Sequence, residues 1–194
     1  MDSSALFQEF PVLKSDELIL REIEECHLHD LYEIYSNENV FTYCGIIPRQ
    51  KKDTVLKMIG HFKRDYLKKS RVKWGIFPAH KHESDTLVGI IEAFDFHQRV
   101  NMATIGYFLA EAHWGKGIAS KAVNMVVRFL MEEVKLNRIQ AEVMPSNEAS
   151  KQVLRKNGFM MEGTLRQAAL WTGKGIVDLE IYGLLQEDYQ KLMR

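Results

Sequence analysis

The residues whose types and spacing best suit chemistry fall in two short stretches. In the first, Trp114-Gly115-Lys116-Gly117-Ile118-Ala119-Ser120, two glycines let the backbone turn tightly and come close to a ligand just before a helical pattern begins. Free N–H groups at a helix start, aided by the helix dipole, suit a pyrophosphate. In the second, Asn147-Glu148-Ala149-Ser150, an amide and a hydroxyl stand at the head of a short helix. Each is also able simply to bond local backbone. Glu92 is a third candidate. It sits in Ile90-Ile91-Glu92-Ala93-Phe94, where a carboxylate is costly unless it lines a cleft; otherwise it belongs on a solvated sheet face. His97 and His113 have intrinsic pKa values suited to proton transfer, or are ordinary loop histidines.

Three nucleotide-loop readings compete for the glycine stretch. A phosphate-binding Walker loop needs G-x-x-x-x-G-K-S/T, which this stretch lacks. A dinucleotide loop wants G-x-G-x-x-G close behind its strand. Here the third position is Ser120, and Ala110 to Trp114 intervene between the strand and the first glycine. Glu142 alternates with Ile139, Ala141 and Val143 and reads as the solvated side of a strand, not as a ribose-binding acid. The third reading is an acyl-CoA loop. The pairs His27/His29 and His80/His82 have no third ligand nearby, so no metal site is expected. Cys26 and Cys44 read as reduced thiols, and Cys44 has no assignable base.

The elements that must position these residues are legible in the hydrophobic period. Glu17–Ile23 alternates as a first strand. A helical stretch follows, with Leu28, Leu31, Tyr32 and Tyr35 on one face. A second helix with Val55, Ile59, Phe62 and Tyr66 on one face starts at Asp53, a candidate N-cap. Phe41-Thr42-Tyr43 lies between the two. Lys51-Lys52 and Lys68-Lys69 read as solvated helix ends. Strands are predicted at Lys73–Phe77, Thr86–Phe96 and Met102–Leu109, an antiparallel meander separated by loops at His80–Asp85 and His97–Asn101. After Gly117 the period turns helical, with Ala119, Ala122, Val123, Val126, Val127 and Leu130 on one face. A strand at Arg138–Met144 leads to a helix from about Asn147 to Lys156, with Ser146 as candidate N-cap and Asn157-Gly158 as its stop. Strands at about Met160–Trp171 and Ile176–Leu184, joined by Thr172-Gly173-Lys174-Gly175, and a helical tail complete a mixed α/β chain.

The chain has 194 residues and no repeat or low-complexity linker, so one domain over residues 1–194 is expected. Its 26 basic and 26 acidic residues cancel, which argues against a polyanion-binding role and hence a nucleic-acid partner. No apolar run approaches the ~20 residues that span a bilayer. The N-terminal MDSSALFQEFP lacks the basic and apolar regions of a secretory signal, so a cytoplasmic protein without a membrane partner is expected.

The second stretch decides among the loop readings. Asn147-Glu148-Ala149-Ser150 followed by Leu154-Arg155-Lys156-Asn157-Gly158-Phe159 resembles the N-x-x-S and L-x-K-x-G-F of GNAT N-acetyltransferases. Leu18-Ile19-Leu20-Arg21, Leu87-Val88-Gly89-Ile90-Ile91 and Ile105-Gly106-Tyr107-Phe108-Leu109 resemble strands of that family. Gly163-Thr164-Leu165-Arg166 and Tyr182-Gly183-Leu184-Leu185, followed by Asp188-Tyr189, resemble the C-terminal end of its RimJ/RimL branch. The resemblance runs over nearly the whole chain. It implies a mostly antiparallel α/β (α+β) sheet with flanking helices and a splayed central strand pair holding acetyl-CoA. The implied cofactor-binding residues are Leu109, Ala110, Trp114, Gly115, Lys116, Gly117, Ile118, Ala119, Ser120, Asn147 and Ser150. No metal is implied. Trp114 takes the position of the common Gln or Arg, Leu154 that of a tyrosine acid found in many members, and Ala169 that of the branch's glutamate base.

The implied reaction is direct attack of an amine on the thioester. A backbone N–H near Leu109 or Ala110 would stabilise the developing oxyanion, and Ser150 would serve the leaving thiolate. Glu92 is the first substitute base, with His97 and His113 behind it. A lysine amine has a pKa of ~10.4 and an α-amine ~7.7–8.0, so neutralising lysine costs about 3 kcal/mol more at ~1.36 kcal/mol per unit. Without a dedicated carboxylate, a protein or peptide N-terminus or a small amine of similar pKa is the expected acceptor. The runner-up is an acetyl-CoA-binding regulatory module of the same fold with weak turnover. The oligomeric state is open, a homodimer included.

Overall fold

The computed structural model describes residues 6–79 and 85–193. Eight strands form one sheet: β1 (Leu13–Lys14), β2 (Leu18–Arg21), β3 (Arg71–Pro78), β4 (Gly89–His97), β5 (Met102–Leu109), β6 (Arg138–Val143), β7 (Met160–Trp171) and β8 (Gly175–Leu185). Five α-helices flank it among the described residues: α1 (Leu28–Ser36), α2 (Lys52–Leu67), α3 (Ile118–Glu132), α4 (Glu148–Lys156) and α5 (Gln186–Leu192). The sheet order is β1-β2-β3-β4-β5-β6-β8-β7. This is the mixed, mostly antiparallel arrangement expected. None of the described helices is long and apolar enough to cross a membrane.

Side chains alternate across a strand, so a sheet covered on both faces needs apolar residues at every position of its central strands. β3 shows this: Trp74 and Ile76 face the core built around α3, while Phe77 faces the core under α1 and α2. The apolar face read for α3 is the one buried, from Ala122 to Leu130, with Ala119 partly buried.

One junction interrupts the antiparallel ladder. β5 and β6 run parallel and pair only over Met102–Thr104 and Arg138–Gln140. Beyond Thr104 the two strands part, and the helix that connects them, α3, starts at the open end. Ala110 donates its N–H to the Val88 carbonyl across β4 (2.9 Å). N–H directions alternate along an antiparallel strand, so Tyr107 and Leu109 direct their backbone groups into the gap.

Some local expectations are corrected. Asp53 lies inside α2, whose N-cap is Lys51. Asn147, not Ser146, caps α4: its side-chain oxygen accepts from the Ser150 N–H (3.1 Å). β1 was not anticipated, because two residues carry no period. The expected loop at His80–Asp85 and the His80/His82 pair lie, apart from Asp85, outside the described residues.

Candidate active site

The parted strands open a cleft of about 400 Å³. That is within the ~300–1,000 Å³ of ordinary ligand sites. Its floor is Tyr107, Phe108 and Leu109 of β5, one wall is the glycine loop with the first turn of α3, and the other is α4. The segment after α1 closes the far end through Asn39, Val40, Tyr43 and Cys44.

The loop has the geometry its glycines suggested. Gly115 and Gly117 have φ of +72° and +77°, the left-handed region that costs a residue with a Cβ. Nothing lies within 4 Å of a Cβ built at either, so backbone conformation and not crowding selects glycine. Gly117 caps α3 without a side-chain bond, and the first N–H to bond back is Lys121, to the Gly117 carbonyl. The N–H groups of Ile118, Ala119 and Ser120 therefore have no helical partner, and all three residues line the cleft. Such a cradle fits a pyrophosphate. No acidic residue stands in that first turn to oppose it.

Most of the expected cofactor residues come together here. Leu109, Trp114, Gly115, Gly117, Ile118, Ala119, Ser120, Asn147 and Ser150 line the cleft, whereas Ala110 and Lys116 do not. The Ala110 N–H is already bonded to the Val88 carbonyl, whereas the Leu109 N–H points away from β4, toward the gap. The Trp114 indole N–H donates to the Leu109 carbonyl (3.0 Å), holding the loop against the strand exit. Asn147 spends its side-chain oxygen on the helix cap. Asn157 ties α4 to the head of α3 by donating to the Ser120 carbonyl (3.2 Å) and the Val153 carbonyl (2.8 Å).

Ser150 sits one turn into α4, 3.0 Å from the Tyr107 hydroxyl, and that hydroxyl lies 3.2 Å from the Ser150 carbonyl. Burial pushes the Tyr107 phenol well above its ordinary pKa, despite the opposing hydrogen bond from Ser150. Leu154, in the position of the family's tyrosine acid, is buried in the core.

The structure does not bring Glu92 into the cleft. The residue is only 9 % exposed and is not among the residues lining the cleft. One of its oxygens is 2.6 Å from both Arg71 and Lys73, on the neighbouring strand beneath α2. Burial raises its pKa, but the two cations outweigh burial and hold the carboxyl below the usual carboxylate range. His97 accepts the Val100 N–H in the turn after β4, away from the cleft (3.2 Å). His113 does line the cleft, and Ala169 stands on β7 opposite Val177, outside it.

Several lining residues were not singled out in the sequence. Ala149, Gln152, Val153 and Lys156 follow from the 3.6-residue period of α4 once Ser150 faces the cleft. Asn39 has no such signal. It and Asn37 donate to Glu111 (2.8–3.1 Å), so the segment after α1 is latched to the exit of β5 across more than 70 residues of chain. At the far end, Lys174 in the β7–β8 turn donates to the Thr42 carbonyl, and Trp171 closes on Gly45, where a Cβ would lie 2.8 Å from the indole.

The profile of the Acetyltransferase (GNAT) domain family matches residues 17–160. The chain is 33 % identical to the uncharacterised N-acetyltransferase YoaA of Bacillus subtilis, over 91 % of this chain and 98 % of that one. It is 27 % identical to the ribosomal-protein-serine acetyltransferase of Escherichia coli, over 79 % of this chain and 85 % of that protein. The structure of RimL, a ribosomal L7/L12 alpha-N-protein acetyltransferase in complex with coenzyme A, superposes with a TM-score of 0.78. It covers 90 % of this chain and 98 % of RimL at 20 % identity, which establishes the shared fold. Parted strands, a left-handed glycine loop and unpaired helix-head amides thus occur in a chain that belongs to the GNAT family and is an acetyl-CoA-dependent N-acetyltransferase.

Proposed function

We propose that the acceptor is the α-amine of a protein or peptide N-terminus, or a small amine of similar pKa. The observation that carries this is the make-up of the cleft. Its described lining is apolar or neutral apart from His113 and Lys156; Glu92 lies on the other face of the sheet, committed to Arg71 and Lys73, and Glu111, at the exit of β5, accepts from Asn37 and Asn39. A lysine side chain would need about 3 kcal/mol more for deprotonation than an α-amine, and a carboxylate in the cleft would be the ordinary means to supply it. An α-amine is already roughly a tenth neutral at pH 7.

The residues divide the work as follows. The amides of Ile118, Ala119 and Ser120 hold the pyrophosphate, and the backbone of Tyr107 in the gap between β5 and β6 pairs with the pantetheine arm. Bound acetyl-CoA supplies the thioester. The Leu109 N–H donates to the carbonyl oxygen as it gains charge. The Ser150 hydroxyl donates to the sulfur as the C–S bond lengthens. His113 is the titratable imidazole on the cleft wall and the candidate to receive the amine's proton. Tyr43, Cys44 and Val40 bound the space in front of the reacting carbon, where the acceptor enters.

The test is an amine screen that follows thiol release from acetyl-CoA. It compares peptides with a free N-terminus, the same peptides N-blocked but carrying lysine, and polyamines. Acetylation of the free N-termini and small amines of pKa near 8 is expected. Turnover confined to lysine side chains or polyamines would sink the assignment.

A further inference from the structure

Ser150 and Tyr107 share two hydrogen bonds and a single phenolic proton. In the structure Ser150 Oγ donates to the Tyr107 hydroxyl (3.0 Å) and that hydroxyl donates to the Ser150 carbonyl (3.2 Å), and a turn of both hydroxyls would let Tyr107 donate to Ser150 Oγ instead. If it donates to the carbonyl, the serine hydroxyl donates to Tyr107 and its proton is spent within the pair. If it donates to Ser150 Oγ, the serine proton is free to point into the cleft. The two arrangements differ by rotation of two hydroxyl groups and need no heavy atom to move.

We propose that Tyr107 is the positioning residue for Ser150, donating to Ser150 Oγ so that the serine O–H is directed at the sulfur of the bound thioester. This rests on the transferase reading above. Three features support it. Tyr107 lies on β5 beyond Thr104, where pairing with β6 has ended, so its side chain lies against α4 at the first turn. The helix cap from Asn147 bonds the Ser150 N–H, which fixes the serine backbone while the side chain answers to Tyr107. A phenol is a stronger donor than an alkyl hydroxyl, and hydrogen bonds in a chain strengthen one another in a site screened from water. Burial keeps the phenol protonated, so no proton leaves Tyr107. The C–N bond forms and the C–S bond breaks. The proton shed by the amine ends on the thiolate or in solvent, and Tyr107 and Ser150 end as they began.

The experiment reads the contact to sulfur without needing an acceptor. Calorimetry at the highest pH at which the wild type stays folded, where more of the CoA thiol is thiolate, compares CoA with desulfo-CoA on the wild type, Tyr107→Phe, Ser150→Ala and the double variant. The wild type should prefer CoA. Tyr107→Phe should narrow that preference by up to about tenfold, the span of one net hydrogen bond, and the ratio of the two affinities cancels any change in contacts that both ligands share. Ser150→Ala should abolish the preference, and adding Tyr107→Phe to it should change nothing more. An unchanged preference in Tyr107→Phe, or independent losses that multiply in the double variant, overturns the proposal. If Tyr107→Phe does not fold, 3-fluorotyrosine at position 107 keeps the shape and makes a stronger donor. The preference should then widen, and an unchanged value overturns the proposal. A wild type that shows these shifts yet acetylates no amine would contradict the transferase reading alone.

Discussion

Glu92 and Tyr107 stand on adjacent strands of one sheet and face opposite ways. Each is a polar group in an apolar run. Glu92 shares the face of Ile90, under α2, and meets two cations that consume its charge. Tyr107 shares the face of Ile91, on the α3 side, and meets a serine at the mouth of the gap between β5 and β6. From the sequence the carboxylate is the better catalytic candidate. In the fold the carboxylate braces the sheet and the phenol reaches the cleft. A polar residue in an apolar strand is therefore a site residue only if its partners leave a group free where a ligand can arrive.

The sharpest way to break that contrast is Glu92→Gln. It leaves Lys73, 8 % exposed, and Arg71 without their counter-charge, and breaking a buried pair costs about 3 kcal/mol or more. The melting temperature should fall by very roughly 6–12 °C in a chain of this length. The folded pKa lies below the unfolded one, so this stabilisation is complete above the usual carboxylate range and fades as pH falls through the folded value. The gap in Tm between wild type and variant should close below about pH 4. The pH–rate profile should keep its shape. A flattened profile with an intact Tm would restore Glu92 as the base.

Ser150→Ala tests the other side. Its turnover should fall about a hundredfold, or ~2.7 kcal/mol of transition-state stabilisation, with little change in Tm. Undiminished single-turnover rates would remove Ser150 from the chemistry. Gly117→Ala should come next. Its φ of +77° imposes strain of about 1–2 kcal/mol although the space around it is open. Affinity for acetyl-CoA, followed by calorimetry, should drop while any remaining turnover at saturation persists. Asn147→Ala should have the smallest effect, about 1 kcal/mol from loss of the α4 cap, read by denaturant unfolding. A larger loss of CoA affinity than of stability would show that Asn147 also touches the cofactor.

Much of the fold was legible because it is periodic. β5 and β7 have the expected bounds, and β3, β4, β6, β8 and α4 differ from expectation by at most three residues at an end. Caps were read less well. Asp53 and Ser146 have the right residue types, yet whether a side chain caps depends on where the backbone leaves the helix, and that point lies elsewhere in both cases. At the site, the glycine loop and the N-x-x-S stretch were legible because each is contiguous. The Arg71–Glu92–Lys73 cluster depends on the register of β3 against β4, and the latch between Asn37, Asn39 and Glu111 on a contact no local pattern announces.

By itself the sequence determined that the loop at Gly115 and Gly117 turns left-handed, that a helix with free N–H groups begins just after it and which faces are apolar. These follow from φ preferences and side-chain period, which consecutive residues carry among themselves. The tertiary structure alone decided that β5 and β6 part after Thr104, that Tyr107 meets Ser150 across 43 residues and that Glu92 pairs with Arg71 and Lys73. Those outcomes are matters of strand register, in which a shift of one residue moves a side chain to the opposite face of the sheet.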